Sequence, residues 1–452
     1  MKKILFAALN SSWSQSNLAF YYLREMVRDL DYASILRSYT LKEPLMQVMD
    51  DIYLQQAEII CFSAYIWNRL FLQDLHRELS KILPDAIFVI GGPEAGHFKN
   101  IRNTIVIEGA GEAAFRELAL QDFLLQDGAQ LRSYPLPLNK VPFPYREEDK
   151  ADLEDHLVYY ECYRGCPYHC AYCLSATDNR SEPRFELPRD KELLYQELDA
   201  ICRLNPRTIK FIDRSFNVQK DLAQAIWHYA IQHGEGQEFH FEIYPDLLDE
   251  QDLKIMEQAP EGRIRFEVGI QSIDPKVLES CGRYSAWEKS KAALIALKAR
   301  TSIRIHADLI AGLPGEDYAS VLRGLDELCA CEPAAVQLGS LKILPNTPMQ
   351  AIAKAKNYLW LDNPPYQVLA SDALSFEEMG SLDDFAHLLS LYWNKEEYPE
   401  LWHELLQKYP ASEILTALKD IHIKNDMPLH SISKKRRAEV MEILSDRLIS
   451  KS

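Results

Sequence analysis

Apolar residues in the first 125 positions come in short runs separated by longer amphipathic stretches. The runs Lys3–Leu9, Ala33–Tyr39, Glu58–Ala64, Ile87–Gly91 and Thr104–Glu108 read as strands, and Asn17–Asp29 and Phe71–Leu83 carry helical periodicity. Strands alternating with helices predict an α/β domain built on a doubly wound parallel sheet. Ligands of such sheets bind beyond the carboxyl ends of the strands, here Asn10–Ser16, Ser63–Asn68, Gly91–Gly96 and Glu108–Glu112. Four prolines (135, 137, 142, 144) and the acidic run Glu147–Glu154 make residues 126–156 a linker. The alternation then resumes over 157–345. Strands are expected at Leu157–Cys162, Thr208–Asp213, Glu238–Tyr244, Arg263–Ile270, Ser302–Ala311 and Ala335–Leu341. Helices are expected near Asp190–Leu204, Asp221–His233, Asp249–Gln258, Ala286–Ala299 and Tyr318–Cys331. Six such units make a partial β/α barrel, whose chemistry belongs at the C-terminal ends of its strands. Residues 346–452 read as a mostly helical, polar region carrying Trp360, Trp393 and Trp402.

Composition changes this picture little. Of 452 residues, 47% are hydrophobic and 26% charged, which excludes a disordered or fibrous chain. The net charge of −17 argues against a broad nucleic-acid footprint. The most apolar stretches, such as Ile59–Trp67, fall well short of the roughly 20 residues of a spanning helix. Met1-Lys-Lys and the apolar run after it lack a small-x-small cleavage site, so they read as a buried first strand and the protein is expected in the cytoplasm. Gly91-Gly92-Pro93-Glu94 and Gly109-Ala-Gly-Glu112 suit either close backbone approach to a ligand or plain turn chemistry.

Nine cysteines are too few for a disulfide scaffold in a chain of this length. Five are scattered and read as small buried hydrophobes. The other four crowd together as Cys162, Cys166, Cys170 and Cys173, the last three spaced C-x3-C-x2-C. Three thiolates on one loop can hold three irons of a 4Fe–4S cluster and leave the fourth iron open. A closed zinc site with Cys162 or His169 as fourth ligand is the competing reading. Further polar groups stand near the following strand ends: Asp213 in Phe211-Ile-Asp-Arg-Ser215, Glu242, Gln271 with Arg283 soon after, and Asp308 in His306-Ala-Asp-Leu-Ile-Ala-Gly-Leu-Pro314. Glu267 shares the Gln271 face only if its strand is regular.

The cysteine loop, with Tyr172 before its last cysteine, resembles the signature of the radical S-adenosylmethionine enzymes. That resemblance implies a cluster on Cys166, Cys170 and Cys173 whose open iron chelates S-adenosylmethionine and whose electron releases a deoxyadenosyl radical. By similarity to the oxygen-independent coproporphyrinogen dehydrogenases, Glu242 stands near the methionine end, Gln271 and Asp308 hold the ribose, and Arg283 partners the methionine carboxylate. Tyr160 and Tyr172 supply aromatic or backbone contacts. Where many members have Gly-Gly-Glu after the second strand, this chain has Asp213-Arg214-Ser215, which still offers polar groups to the amino group.

A doubly wound domain ahead of such a barrel resembles the cobalamin-binding branch, in particular the subgroup with an uncharacterised helical C-terminal domain. The implied contacts to a corrin are Ser63, Tyr65, Trp67, Gly91, Gly92, Glu94, Gly109 and Glu112. No Asp-x-His-x-x-Gly motif supplies a cobalt ligand, and loss of cobalamin from a relic domain stays open. The resemblance implies methylation of an unactivated carbon. Radical oxidation or rearrangement without methyl transfer, and a non-catalytic cluster module, are the alternatives. A small-molecule or lipid-like substrate fits the acidic charge better than nucleic acid. An electron donor such as flavodoxin or ferredoxin is implied.

Overall fold

The computed structural model describes residues 1–124, 128–175, 189–234 and 236–449. The boundary expected at 125/126 falls outside them. Two parallel six-stranded sheets organise the chain. The first contains β1 (Lys2–Asn10), β2 (Tyr32–Thr40), β3 (Ile59–Ser63), β4 (Ile87–Gly91), β5 (Thr104–Gly109) and β6 (Gln130–Ser133), in the order β2-β1-β3-β4-β5-β6. The second contains β7 (Leu157–Tyr160), β8 (Thr208–Phe211), β9 (Glu238–Ile243), β10 (Ile264–Gln271), β11 (Arg304–Ala311) and β12 (Ala335–Ser340), in the order β12-β11-β10-β9-β8-β7.

The chain forms two compact units. The first comprises residues 1–164 with the described parts of 184–212 and 235–237. The second comprises the described parts of 165–183, then 213–234 and 238–449.

In the first unit, β1 is buried from Ile4 to Asn10 because helices cover both faces of its sheet. Leu5, Ala7 and Leu9 pack with Val48, Leu72 and Leu75, and Ile4, Phe6 and Ala8 pack with Phe20 and Phe115. The strand β6 lies within the stretch read as a linker. It is a short edge strand whose sequence, Gln-Leu-Arg-Ser, has no apolar run to announce it.

In the second unit, β10 and β11 alternate strictly between buried and half-buried positions. Phe241 and Phe266 turn outward onto Trp227 of the helix Lys220–His233, with ring centroids 6.5 and 5.7 Å away. The opposite, inner face is polar. It carries His240 and Glu242 of β9, Arg265, Glu267 and Gln271 of β10, and His306 and Asp308 of β11. Beyond β12 come five helices between Met349 and Leu448 and the short antiparallel pair Leu359–Trp360 with Val368–Ala370. Trp393 and Trp402 are core residues there, 4.9 Å apart. Four consecutive basic residues open the last helix, Lys434–Leu448: Lys434, Lys435 and Arg436 are exposed, while Arg437 turns in to Glu397 at 2.9 Å.

Candidate functional site

The loop after β7 carries the three closely spaced cysteines, with Cys170 buried and Cys166 and Cys173 half-buried. Cys166 feels the charge of both other thiols, and burial pushes its own pKa up while the Ser215 hydroxyl and the Tyr168 amide counter it. Ser215 adopts a left-handed φ of +56° in the polar turn after β8, which brings its hydroxyl to the thiol. The loop is anchored by its backbone: Ala171 N–H donates to the Cys281 carbonyl (2.7 Å) and Met349 N–H to the Ala171 carbonyl (3.0 Å). Among the described residues, no three His, Cys, Asp or Glu side chains converge as ligands of one metal ion. A cluster gives each thiolate its own iron, so three thiols sharing one loop suit it without meeting at a point.

Arg283 comes up against Cys170, with its guanidinium 4.4 Å above the Tyr244 ring and one nitrogen donating to the Gly269 carbonyl. Its Nε is buried without a partner. Tyr244 in turn stacks on Tyr168 at 4.5 Å, and Asn217 clamps its main chain, accepting from its N–H and donating to its carbonyl, both at 2.8 Å. Gln271 ends β10 in a left-handed conformation (φ +70°) at a bulge, and its Oε1 is buried and unpartnered. A Cβ at position 269 would overlap the Gln271 amide, so glycine there makes room for this side chain. Asp308 faces inward from β11 in register with Gly269. Glu242 lies in register with Glu267, and its carboxylate is 3.8 Å from Arg214. Asp213 is buried just beyond β8, and Tyr172 is half-buried beside Cys170. Within the second unit, then, Tyr172 and Arg283 gather against the cysteine loop, and Asp213, Glu242, Gln271 and Asp308 stand at or near the strand ends.

Tyr160 is committed elsewhere. It is fully buried in the first unit, donates its hydroxyl to Glu197 and packs edge-on against Phe211. Glu197 is also held by Arg189 at 2.8 Å.

At the carboxyl edge of the first sheet, Ser63 is buried and accepts from Asn17 at 2.9 Å. Tyr65 and Trp67 stack face to face at 4.3 Å, with Trp67 half exposed. Gly91 closes β4. Gly92 (φ +95°) is required inside the sheet, since a Cβ there would lie 2.6 Å from the Ala64 carbonyl, and Gly109 (φ +90°) is likewise pressed against the Ser133 carbonyl. Turn and packing needs account for both glycines. Glu94 is buried against Arg69 at 3.1 Å, and Glu112 against Arg164 at 2.5 Å. Arg164 also holds Glu161 at 2.6 Å, immediately before the cysteine loop. The roles of Arg164, Asn217, Tyr168 and Tyr244 have no signature in the sequence, because each acts through a partner far away in the chain.

Comparison with known proteins follows the same division. Residues 160–328 match the radical SAM superfamily, and residues 355–437 match a family described as a protein of unknown function, DUF4080. The cobalamin-dependent radical SAM methyltransferase TokK of Streptomyces tokunonensis is 24% identical over 83% of this chain. The 2-(S-pantetheinyl)-carbapenam-3-carboxylate methyltransferase of Streptantibioticus cattleyicolor is 24% identical over 74%. The chain spans 59% and 53% of the lengths of these two proteins. Among solved structures, the cobalamin-dependent S-adenosylmethionine radical enzyme OxsB shares the fold over 100% of this chain and 80% of its own, with a TM-score of 0.67 at 15% identity. The methyltransferase TsrM of Kitasatospora setae does so over 78% and 76%, at 0.63 and 16%.

Proposed function

Residues 160–328 make this chain a member of the radical SAM superfamily, and from that premise we propose that it is a cobalamin-dependent radical SAM methyltransferase acting on an unactivated carbon. Cys166, Cys170 and Cys173 hold the cluster. Gln271 and Asp308 take the ribose hydroxyls of S-adenosylmethionine, Arg283 its carboxylate, and Glu242 and Asp213 its amino group, with Tyr172 beside them. Tyr160 is left out of this set, its hydroxyl being spent on Glu197. When bound, these cofactors supply a deoxyadenosyl radical and a transferable methyl group.

The observation that carries this reading is the pair of unsatisfied buried groups, Gln271 Oε1 and Arg283 Nε, beside a loop of three thiols. A buried polar atom without a partner costs roughly 1–3 kcal/mol. Such a cost is sensible where a ligand repays it. Cobalamin is assigned to the carboxyl edge of the first sheet, where the Tyr65–Trp67 stack is the open apolar surface. Ser63, Gly91, Gly92, Glu94, Gly109 and Glu112 shape that edge. The similarity to TokK, named for cobalamin dependence, supports the assignment.

No helix among the described residues is long and apolar enough to cross a membrane. With it we propose a cytoplasmic enzyme, a small-molecule or lipid-like substrate and a flavodoxin- or ferredoxin-type electron donor. A second reading, radical oxidation or rearrangement over a relic first domain, is favoured by the ion pairs that already occupy Glu94 and Glu112. Incubating the reduced enzyme with methyl-labelled S-adenosylmethionine and candidate substrates separates the two. Methyl transfer yields S-adenosylhomocysteine with deoxyadenosine, whereas deoxyadenosine alone supports the second reading and the absence of both refutes each.

A further inference from the structure

Below the strand ends, the inner face of the second unit carries a further polar row that the cofactor assignments leave unused. His240 of β9, Glu267 of β10 and His306 of β11 stand side by side, with Glu267 directly in register with His306. The His240 side chain is 7% exposed. Its Nε2 lies 3.0 Å from a Glu267 carboxylate oxygen without making a hydrogen bond, and its Nδ1 has no hydrogen-bond partner either. The His306 ring centroid is 6.5 Å away. A buried imidazole with both nitrogens unsatisfied is costly in a finished core. No core side chain fills the row, for Glu267 remains about a third exposed and Gln337, in register with Asp308 on the same face, is exposed.

The charges around this row select what it can bind. The cationic groups near it are already neutralised: Arg265 is held by Glu238 at 2.8 Å, and Arg304 by Glu396. Burial, together with the nearby Arg265, His240 and Arg304, holds the His306 pKa down at about 4, so its imidazole stays neutral and offers a lone pair. Glu267 and, above it, Asp308 add carboxylates. The face is therefore rich in acceptors, and a phosphate or carboxylate entering it would meet the like charge of Glu267 and Asp308, with Arg265 and Arg304 already paired.

We propose that His240, Glu267 and His306, with Gln337 at the rim, form a substrate subsite for a small molecule bearing hydroxyl or ammonium groups. This rests on the radical SAM reading above for the identity of the bound molecule as substrate, but the binding itself requires no turnover. The donor groups of the substrate meet the Glu267 carboxylate and the lone pair of His306, its hydroxyls partner the His240 nitrogens, and these contacts fix which carbon of the substrate is presented to the reacting centre.

The test is calorimetric titration of the full-length reconstituted chain with aminopolyols, D-glucosamine among them, against sugar phosphates and dicarboxylates. The proposal expects aminopolyols to bind in preference to both anionic classes. Glu267→Gln and His240→Asn are expected to weaken that binding by about tenfold or more, and Gln337→Ala by about threefold. Gln337 is exposed, so its variant keeps the test valid should the buried substitutions fail to fold. Preference for the anions, aminopolyol affinity indifferent to Gln337→Ala and Glu267→Gln, or no binding of any aminopolyol overturns the subsite. Iron content and deoxyadenosine formation by the unsubstituted enzyme are read separately. Their loss with aminopolyol binding intact refutes the proposed activity and leaves the subsite standing.

Discussion

At the carboxyl edge of the first sheet, Glu94 meets buried Arg69 and Glu112 meets half-buried Arg164, and in the same unit Arg24 gathers Asp149, Glu25 and the Pro144 carbonyl at 2.5 to 3.0 Å. On the inner face of the second unit, Gln271, Arg283 and His240 keep buried polar atoms without partners. The two regions share a parallel-sheet plan and a similar wealth of charge, yet the first sets each carboxylate in an ion pair and leaves only residual atoms such as Glu112 Oε2 and Arg164 Nη1 without partners, whereas on the second Gln271 Oε1 and both His240 nitrogens make no hydrogen bond. A polar residue at a strand end thus carries no fixed meaning. What decides its role is whether the fold also delivers its counter-charge.

The contrast can be broken by substitution. The largest effect is expected at Arg24→Met, which strips buried Asp149 of its guanidinium and leaves Glu25 to Arg146; removing one partner of a buried pair costs about 3–5 kcal/mol. Chemical denaturation should show that loss. A stability change within about 1 kcal/mol would mean that the network is not closed.

Next comes Glu316, which is 2% exposed and accepts from the Ser272 hydroxyl. Burial raises its pKa from 4.5 to about 7. The folded state then binds more protons than the unfolded one between those values. Its contribution is complete below pH 4.5 and is lost as pH rises towards and past 7, a change of about 3 kcal/mol. Glu316→Gln should flatten the stability–pH profile across that window, and an unchanged slope would place the titration elsewhere.

The smallest stability effect belongs to Gln271→Gly. It relieves a left-handed backbone, so stability should hold or rise within about 1 kcal/mol, while affinity for S-adenosylmethionine falls about tenfold. Equal affinity in equilibrium binding would remove Gln271 from the cofactor set.

These regions also differ in how far the sequence discloses them. Central strands such as β3 and β4 are continuous apolar runs because both of their faces are covered, and they are readable from hydrophobicity alone. The edge strand β6 is short and polar, and only its pairing with β5 defines it. Glu267 is conditional on strand regularity. The bulge at Gly269/Gln271 shifts the register, but the alternation persists through Gln271, so Glu267 does share its face. The three cysteines announce themselves by spacing. Glu112 does not announce its role, because Arg164 lies 52 residues away and the pairing is a product of the fold. The aromatic stack under Arg283 is hidden for the same reason.

The most direct measurement of the account is anaerobic reconstitution of the chain with iron, sulfide and hydroxocobalamin, followed by optical spectra and metal counts. The account predicts about four irons and about one cobalt per chain in the native protein, with iron lost in Cys170→Ala and cobalt retained. Iron without cobalt would reduce the first domain to a relic or a substrate holder. Zinc with neither would contradict the account outright.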